Sequence, residues 1–160
     1  MKKISNVLTG EVKTAKDNTI FQSKAIGSCV VIAGYDTKEM VGAMAHVMLP
    51  GVSPEKNSGP RTRYAANAIE EMIGMMIRLG TDRENIEVCL VGGANVLKRE
   101  DDTICQANID SVIEILHKEG IKIKAKYLGG FERMSVSLDT EKSKVFHSVG
   151  DGTDDLLLCF

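Results

Sequence analysis

The stretch of residues 41–49 is almost wholly apolar, and this property limits what the chain can fold into more than any other. A short apolar run of this kind is typical of a β-strand that is buried on both faces. Its one strongly polar residue is His46. Because side chains alternate along a strand, we expect Met44 and Met48 to share the face of His46. The chain therefore carries an imidazole into an apolar sheet.

A cysteine, Cys29, follows the small residues Gly27 and Ser28 and precedes a second apolar stretch, residues 30–35. A thiol acts as a nucleophile only with a base or cation beside it, because free cysteine is mostly protonated at neutral pH. Adjacent strands would bring Cys29 and His46 together, which makes this pair the best candidate for a nucleophile and its base. Two plainer interpretations stay open: Cys29 as a small buried hydrophobe, and His46 as a core histidine with a satisfied hydrogen bond.

The small residues before Cys29 favour a nucleophile. Gly27 and Ser28 allow a substrate to approach the backbone closely, and their turn N–H groups are candidates for an oxyanion hole. We expect the Cys29 thiol to have a pKa well below that of an ordinary cysteine.

The four cysteines lie far apart, without a CxxC or paired-histidine spacing. This spacing predicts free thiols and no zinc or iron–sulfur site, and we expect no cofactor. Cys89 and Cys159 lie inside apolar runs and are expected in the core, whereas Cys105 precedes a helix and is expected at the surface.

The size and charge of the chain narrow its class. A length of 160 residues predicts a single domain over residues 1–160 that folds without a metal or disulfide. The net charge of −2 and a pI near 5.9 do not indicate nucleic-acid or acidic-membrane binding. Polar residues interrupt the start of the chain, and no run reaches transmembrane length, so we expect a cytoplasmic protein without membrane insertion.

Hydrophobic periodicity predicts an alternation of strands and helices. The predicted strands are residues 21–25, 30–35, 41–49, 86–91 and 121–127, with a late hairpin at 133–138 and 144–149. The predicted helices are residues 64–79 and 109–118, and residues 51–62 read as a loop near the candidate pair. We expect residues 151–155 to be mobile and residues 156–160 to dock as an edge strand.

At these residues the chain resembles CheD, a family of bacterial and archaeal chemoreceptor glutamine deamidases. The order and spacing of several stretches agree with the family pattern over about residues 20–150. These stretches are residues 27–30, 42–50, 63–65, 91–95, the segment 104–109 with its helix, and the paired glycines 129–130. The cysteine and histidine stretches together are specific, whereas the glycine stretches alone are not.

The resemblance implies an α+β fold in which mixed β-sheets are layered like a β-sandwich and flanked by helices, as in cysteine-dependent toxin deamidases. It implies that Cys29 is the nucleophile and His46 its general base. The family's third catalytic position, a threonine six residues before the cysteine, is Ser23 here. Ser23 keeps the hydroxyl that would orient the imidazole but lacks β-branching.

The implied activity is conversion of glutamine side chains on the cytoplasmic helices of methyl-accepting chemoreceptors to glutamate, through a thioester. The resemblance also implies a second partner, a CheC-type CheY-phosphate phosphatase. An alternative is a regulatory module that stimulates this phosphatase with weak or vestigial catalysis. Two further alternatives are a cysteine hydrolase acting on another amide and a purely structural Cys29.

Overall fold

The structure, a computed structural model, describes residues 2–101 and 103–160, and in these residues the chain forms ten strands and two α-helices. The strands are β1 (Lys3–Asn6), β2 (Val12–Ala15), β3 (Thr19–Ile26), β4 (Val30–Asp36), β5 (Val41–Val47), β6 (Glu87–Gly92), β7 (Lys122–Leu128), β8 (Met134–Asp139), β9 (Lys144–Val149) and β10 (Asp155–Cys159). The helices are α1 (Ala65–Arg78) and α2 (Ile104–Lys118), and short 3-10 helices lie at Arg61–Arg63 and Arg83–Asn85.

The strands form two five-stranded sheets. The first sheet has the order β1-β3-β8-β9-β10, and the second has the order β2-β5-β4-β6-β7. Each sheet is mixed, because β1 pairs with β3 and β6 pairs with β7 in parallel while the other pairs are antiparallel. The predicted α+β class with layered mixed sheets and flanking helices is confirmed.

The second sheet is the middle layer of the fold. Every residue of β4 and β5 is buried, as the apolar run at residues 41–49 predicts. Ala43 and Ala45 pack with the helices in one apolar cluster, whereas Met44 packs with the first sheet in another. The strand ends at Val47, because the N–H groups of Met48 and Leu49 both donate to the carbonyl of Arg63 at 2.9 Å. The two faces of β5 therefore meet different layers.

The two helices cover the outer face of the second sheet. The buried residues of α1 recur at helical spacing: Ala65, Ala68, Ile69, Met72, Ile73 and Met76. Helix α2 begins at Ile104, five positions before the predicted start at 109. The buried face of α2 includes a polar residue, Asn108, which interrupts the apolar periodicity just before the predicted start.

Two cysteine predictions are wrong. Cys105 is buried in the first turn of α2, where its thiol donates to the carbonyl of Ala94 at 3.2 Å, because the helix starts earlier than predicted. Cys159 is exposed, because it lies on the edge strand β10, whose pairing with β9 is irregular between Leu156 and Leu158. The edge strand itself is confirmed, and it begins at Asp155, at the end of the segment expected to be mobile.

In the described residues, none of the helices is both long enough and apolar enough to span a membrane.

Candidate active site

Cys29 and His46 are neighbours at one end of the second sheet. Val30 pairs with Val47, and the next pair joins Val31 to His46. Continuing this register by one residue sets Cys29 across from Met48, so that His46 is the diagonal neighbour of Cys29 on the same face. The Cα atoms of such diagonal neighbours lie about 7–8 Å apart, within reach of a long or aromatic side chain.

The turn that carries Cys29 is held by the glycine pair after β6. The N–H of Gly93 donates to the carbonyl of Cys29 at 2.7 Å, and the N–H of Ala94 donates to the carbonyl of Gly27 at 2.9 Å. Gly92 has a φ of 128°, and a Cβ there would lie 2.2 Å from the Cys29 carbonyl oxygen. Only glycine can occupy this position, because any side chain would collide with the Cys29 carbonyl. Gly92 therefore allows the end of β6 to lie close to the turn that carries Cys29.

His46 is almost fully buried, and its ring is oriented by a main-chain group. The Nδ1 atom of His46 lies 3.1 Å from the carbonyl oxygen of Val7. A carbonyl only accepts hydrogen bonds, so Nδ1 carries the hydrogen in this contact. In the neutral ring, Nε2 then holds the free lone pair, which is the state that a general base needs.

Ser23 reaches the same carbonyl from the other sheet. Ser23 lies on β3, and its hydroxyl donates to the Val7 carbonyl at 2.6 Å. The Ser23 hydroxyl and the His46 imidazole therefore share one hydrogen-bond acceptor, the Val7 carbonyl. The role of Ser23 in orienting His46 stays a prediction. Val7 was missed because a main-chain carbonyl gives no signal in residue type.

Burial sets the protonation of the pair. It raises the pKa of the Cys29 thiol, and a polar contact with the Thr9 hydroxyl offsets part of this increase. The expectation of a low pKa for Cys29 is therefore wrong. Burial likewise lowers the pKa of His46, against the opposing effects of the Val7 carbonyl and the Glu11 carboxylate. Both groups are neutral at neutral pH, so the arrangement suits proton transfer during reaction rather than a preformed ion pair.

Two clefts lie next to the candidate pair, one lined by residues that precede Cys29 and one lined by His46. Gly27 and Ser28 line a cleft of about 450 Å³ together with the segment before α2. His46, Ser23 and Thr9 line a second cleft of about 410 Å³. Cys29 directly follows two residues of the first cleft, and its candidate base His46 lines the second.

A metal centre finds no support in the described residues, which hold no group of three or more His, Cys, Asp or Glu side chains close enough to share an ion.

Comparison with known proteins decides the family. The family model for CheD chemotactic sensory transduction matches residues 48–148, which is more than half of the chain. The chain belongs to the CheD family. Members of the CheD family also match over the segment that precedes residue 48, since the pairwise alignments span most of the chain.

Three CheD relatives illustrate the range of similarity. A probable chemoreceptor glutamine deamidase CheD of Chlorobium luteolum is 38% identical over 149 residues, covering 93% of this chain and 74% of the relative. A probable chemoreceptor glutamine deamidase CheD of Methanococcus maripaludis is 34% identical, covering 92% and 96%. The chemoreceptor glutamine deamidase CheD of Thermotoga maritima is 32% identical, covering 95% of each chain.

Among solved structures, the Bacillus licheniformis hypothetical protein YfiH aligns with a TM-score of 0.48 at 12% identity, covering 80% of this chain and 58% of that one.

Proposed function

We propose that this member of the CheD family is a chemoreceptor glutamine deamidase, which hydrolyses glutamine side-chain amides of chemoreceptors to glutamate. Its relatives carry this activity in their names. The observation that carries the proposal is the pairing of β4 with β5, which makes Cys29 and His46 neighbours while the Val7 carbonyl leaves Nε2 of His46 free to accept a proton.

The first half of the reaction forms a thioester. Nε2 of His46 takes the proton from Sγ of Cys29, and the thiolate attacks the side-chain carbonyl carbon of the glutamine. The carbonyl oxygen becomes an oxyanion. His46 then returns the proton to the departing nitrogen, the C–N bond breaks, and ammonia leaves.

The second half hydrolyses the thioester. A water molecule gives a proton to Nε2 of His46 and attacks the acyl carbon, and the C–S bond breaks as the proton returns to Sγ of Cys29. The products are a glutamate side chain and the free thiol. The pair ends in the neutral state in which it began, which agrees with the raised pKa of Cys29 and the lowered pKa of His46.

Gly27 and Ser28 are the proposed source of the oxyanion hole. Both residues line the cleft beside the nucleophile. Within the described residues, their N–H groups donate to no other atom, while their carbonyls are engaged by Ala94 and Asn108. Backbone donors that are free before the substrate arrives are suited to stabilising a developing negative charge. We assign Ser23 the role of orienting the imidazole of His46 through the Val7 carbonyl.

The partners follow from the same proposal. The substrates are the cytoplasmic helices of methyl-accepting chemoreceptors, and a protein that acts on them works in the cytoplasm. A CheC-type phosphatase is the second proposed partner, supported by the family resemblance.

The deciding experiment is deamidation of a receptor cytoplasmic fragment, followed by mass spectrometry of its peptides. We expect the parent protein to convert specific glutamines to glutamate and the Cys29→Ala variant to convert none, because the nucleophile is lost. Cys159→Ala is the matched control, since it removes an exposed thiol outside the site. Conversion by the Cys29→Ala variant would overturn the mechanism, and no conversion by the parent would overturn the proposed activity.

A further inference from the structure

Asn108 connects helix α2 to both halves of the candidate active site. Its side chain is fully buried in the described structure, with an exposed fraction of 0%. The Nδ2 group donates to the carbonyl of Ser28 at 2.9 Å and to the carbonyl of Met48 at 3.0 Å. Ser28 immediately precedes Cys29, and Met48 follows His46 by two residues. One amide group therefore bridges the two segments that carry the reacting side chains.

This bridge lies where the β4–β5 ladder stops. The last strand pair is Val30 with Val47, and Cys29 and Met48 lie one residue beyond it. The N–H of Met48 already donates to the carbonyl of Arg63, so the chain after β5 is drawn toward α1. Among the described residues, the β4–β5 ladder has no strand pair beyond Val30–Val47. The Asn108 amide connects the two chains just past the end of the ladder, because its two hydrogens satisfy one carbonyl from each chain.

The orientation of the Asn108 amide is fixed by its partners. Two carbonyl oxygens accept hydrogen bonds and donate none, so only the NH₂ group of the amide can face them. The Oδ1 atom is buried and has no hydrogen-bond partner among the described residues. A buried polar atom without a partner is uncommon in folded proteins. The two hydrogen bonds of Nδ2 are therefore the contribution of the asparagine side chain at this position.

We propose that Asn108 is a positioning residue for the Cys29–His46 pair. By holding the Ser28 and Met48 carbonyls on one amide group, it sets the separation of the nucleophile turn from the end of β5. Its hydrogen bonds in the described structure go to the backbone beside each reacting side chain, and it acts through that backbone. The inference rests on the proposed function, since it concerns how the same pair is aligned. A displacement of about 1 Å between reacting groups lowers a rate by as much as about 100-fold.

A double-mutant cycle on thiol reactivity tests this role. The rate of Cys29 alkylation by iodoacetamide is measured by peptide mass spectrometry in four proteins: the parent, Asn108→Ala, His46→Ala and the double variant. We expect Asn108→Ala to slow alkylation by about 10-fold or more when His46 is present. We expect it to have little further effect when His46 is absent, because there is then no base to align.

The outcomes separate the two proposals. Equal slowing by Asn108→Ala with and without His46 would overturn the positioning role while leaving the pair intact. Alkylation in His46→Ala that matches the parent would overturn the pair itself, and the role of Asn108 with it. Asn67→Ala is the matched control, because Asn67 lies on α1 and its Oδ1 accepts from the N–H of Ser53 at 2.8 Å, away from the pair. We expect no change in Cys29 reactivity in that variant.

A second variant keeps the test valid if Asn108→Ala does not fold. Asn108→Gln retains the NH₂ group but adds a methylene, so it preserves the donors and shifts their position. We expect alkylation of Cys29 in this variant to fall by about 10-fold with His46 present. Parent-like reactivity in a folded Asn108→Gln protein would contradict the proposal.

Discussion

At the scale of single residues, the surroundings of the two groups proposed to react favour their neutral forms. Burial opposes charge on the Cys29 thiol and on the His46 imidazole alike. A neutral thiol beside a neutral base reacts only when the base takes the proton. In the proposed mechanism, the thiolate therefore forms only during the reaction, which limits the side reactions that a permanently ionised thiolate would undergo.

The pH dependence of deamidation reports this state. The pKa of His46 is lowered by burial, so the imidazole stays unprotonated as the pH falls through its ordinary value of about 6.5. We expect kcat/KM to be retained at that pH and to decline only at lower pH, because the base is lost when the ring is protonated. A pH–rate profile of kcat/KM measures this decline at low pH. An acid limb above pH ~6.5 would contradict the assignment of His46 as a buried neutral base.

The candidate pair can be predicted from residue types, whereas the surroundings of the pair cannot. Cys29 and His46 stand out because a thiol after small residues and an imidazole in an apolar strand are both unusual. The Val7 carbonyl was not predictable, since every residue has one and its use depends on how β1 and β3 bring it to the sheet. The raised pKa of Cys29 was missed because burial is a tertiary property.

At the scale of elements, the strands that sequence patterns miss are those stabilised by remote partners. β1 and β2 are short and have no fully buried residue, so alternation of apolar and polar residues gives no signal there. β1 pairs with β3, and β2 pairs with β5, across the sequence. Helix α1, by contrast, is predicted within one residue at each end, because six buried residues repeat at helical spacing.

The β8–β9 turn depends on one carboxylate. Oδ1 of Asp139 accepts from the N–H groups of Glu141 and Lys142, both at 3.1 Å, and the carboxylate also pairs with Lys2. We expect Asp139→Ala to lower the free energy of unfolding by about 1–2 kcal/mol through loss of the turn hydrogen bonds. Urea denaturation measures the change.

Asp139→Asn is the matched variant for this turn. It keeps a side-chain oxygen to accept the turn hydrogen bonds but loses the charge that pairs with Lys2. We expect the asparagine variant to be less destabilised than the alanine variant, because an ion pair near the surface contributes about 0–1 kcal/mol. Equal destabilisation of the two variants would show that the turn hydrogen bonds contribute nothing.

At the scale of the whole molecule, docking of the two sheets is fixed at opposite ends of the second sheet. At one end, the Val7 carbonyl joins Ser23 to His46. At the other end, the hydroxyl of Tyr35 on β4 donates to the carbonyl of Thr140, which follows β8, at 2.6 Å. The apolar side chains between the sheets fill the space separating these two polar contacts.

Tyr35→Phe separates stability from activity. Tyr35 is fully buried, and the substitution removes the hydroxyl that donates to the Thr140 carbonyl. We expect the free energy of unfolding to fall by about 1–2 kcal/mol, with deamidation at saturating substrate unchanged, since Tyr35 lies at the other end of β4 from Cys29. Tyr127→Phe, at a half-exposed ring, is the control and should alter neither. A large loss of activity in folded Tyr35→Phe would contradict this separation.

The shared carbonyl of Val7 makes catalysis a reporter of folding. An intermediate with only the second sheet formed would already hold the thiol and imidazole side by side. It would lack the acceptor that selects the imidazole tautomer, because Val7 is held against β3 of the first sheet. In the proposed mechanism, enzymatic activity therefore returns during refolding only when the two layers have joined, so the recovery of activity measures their assembly.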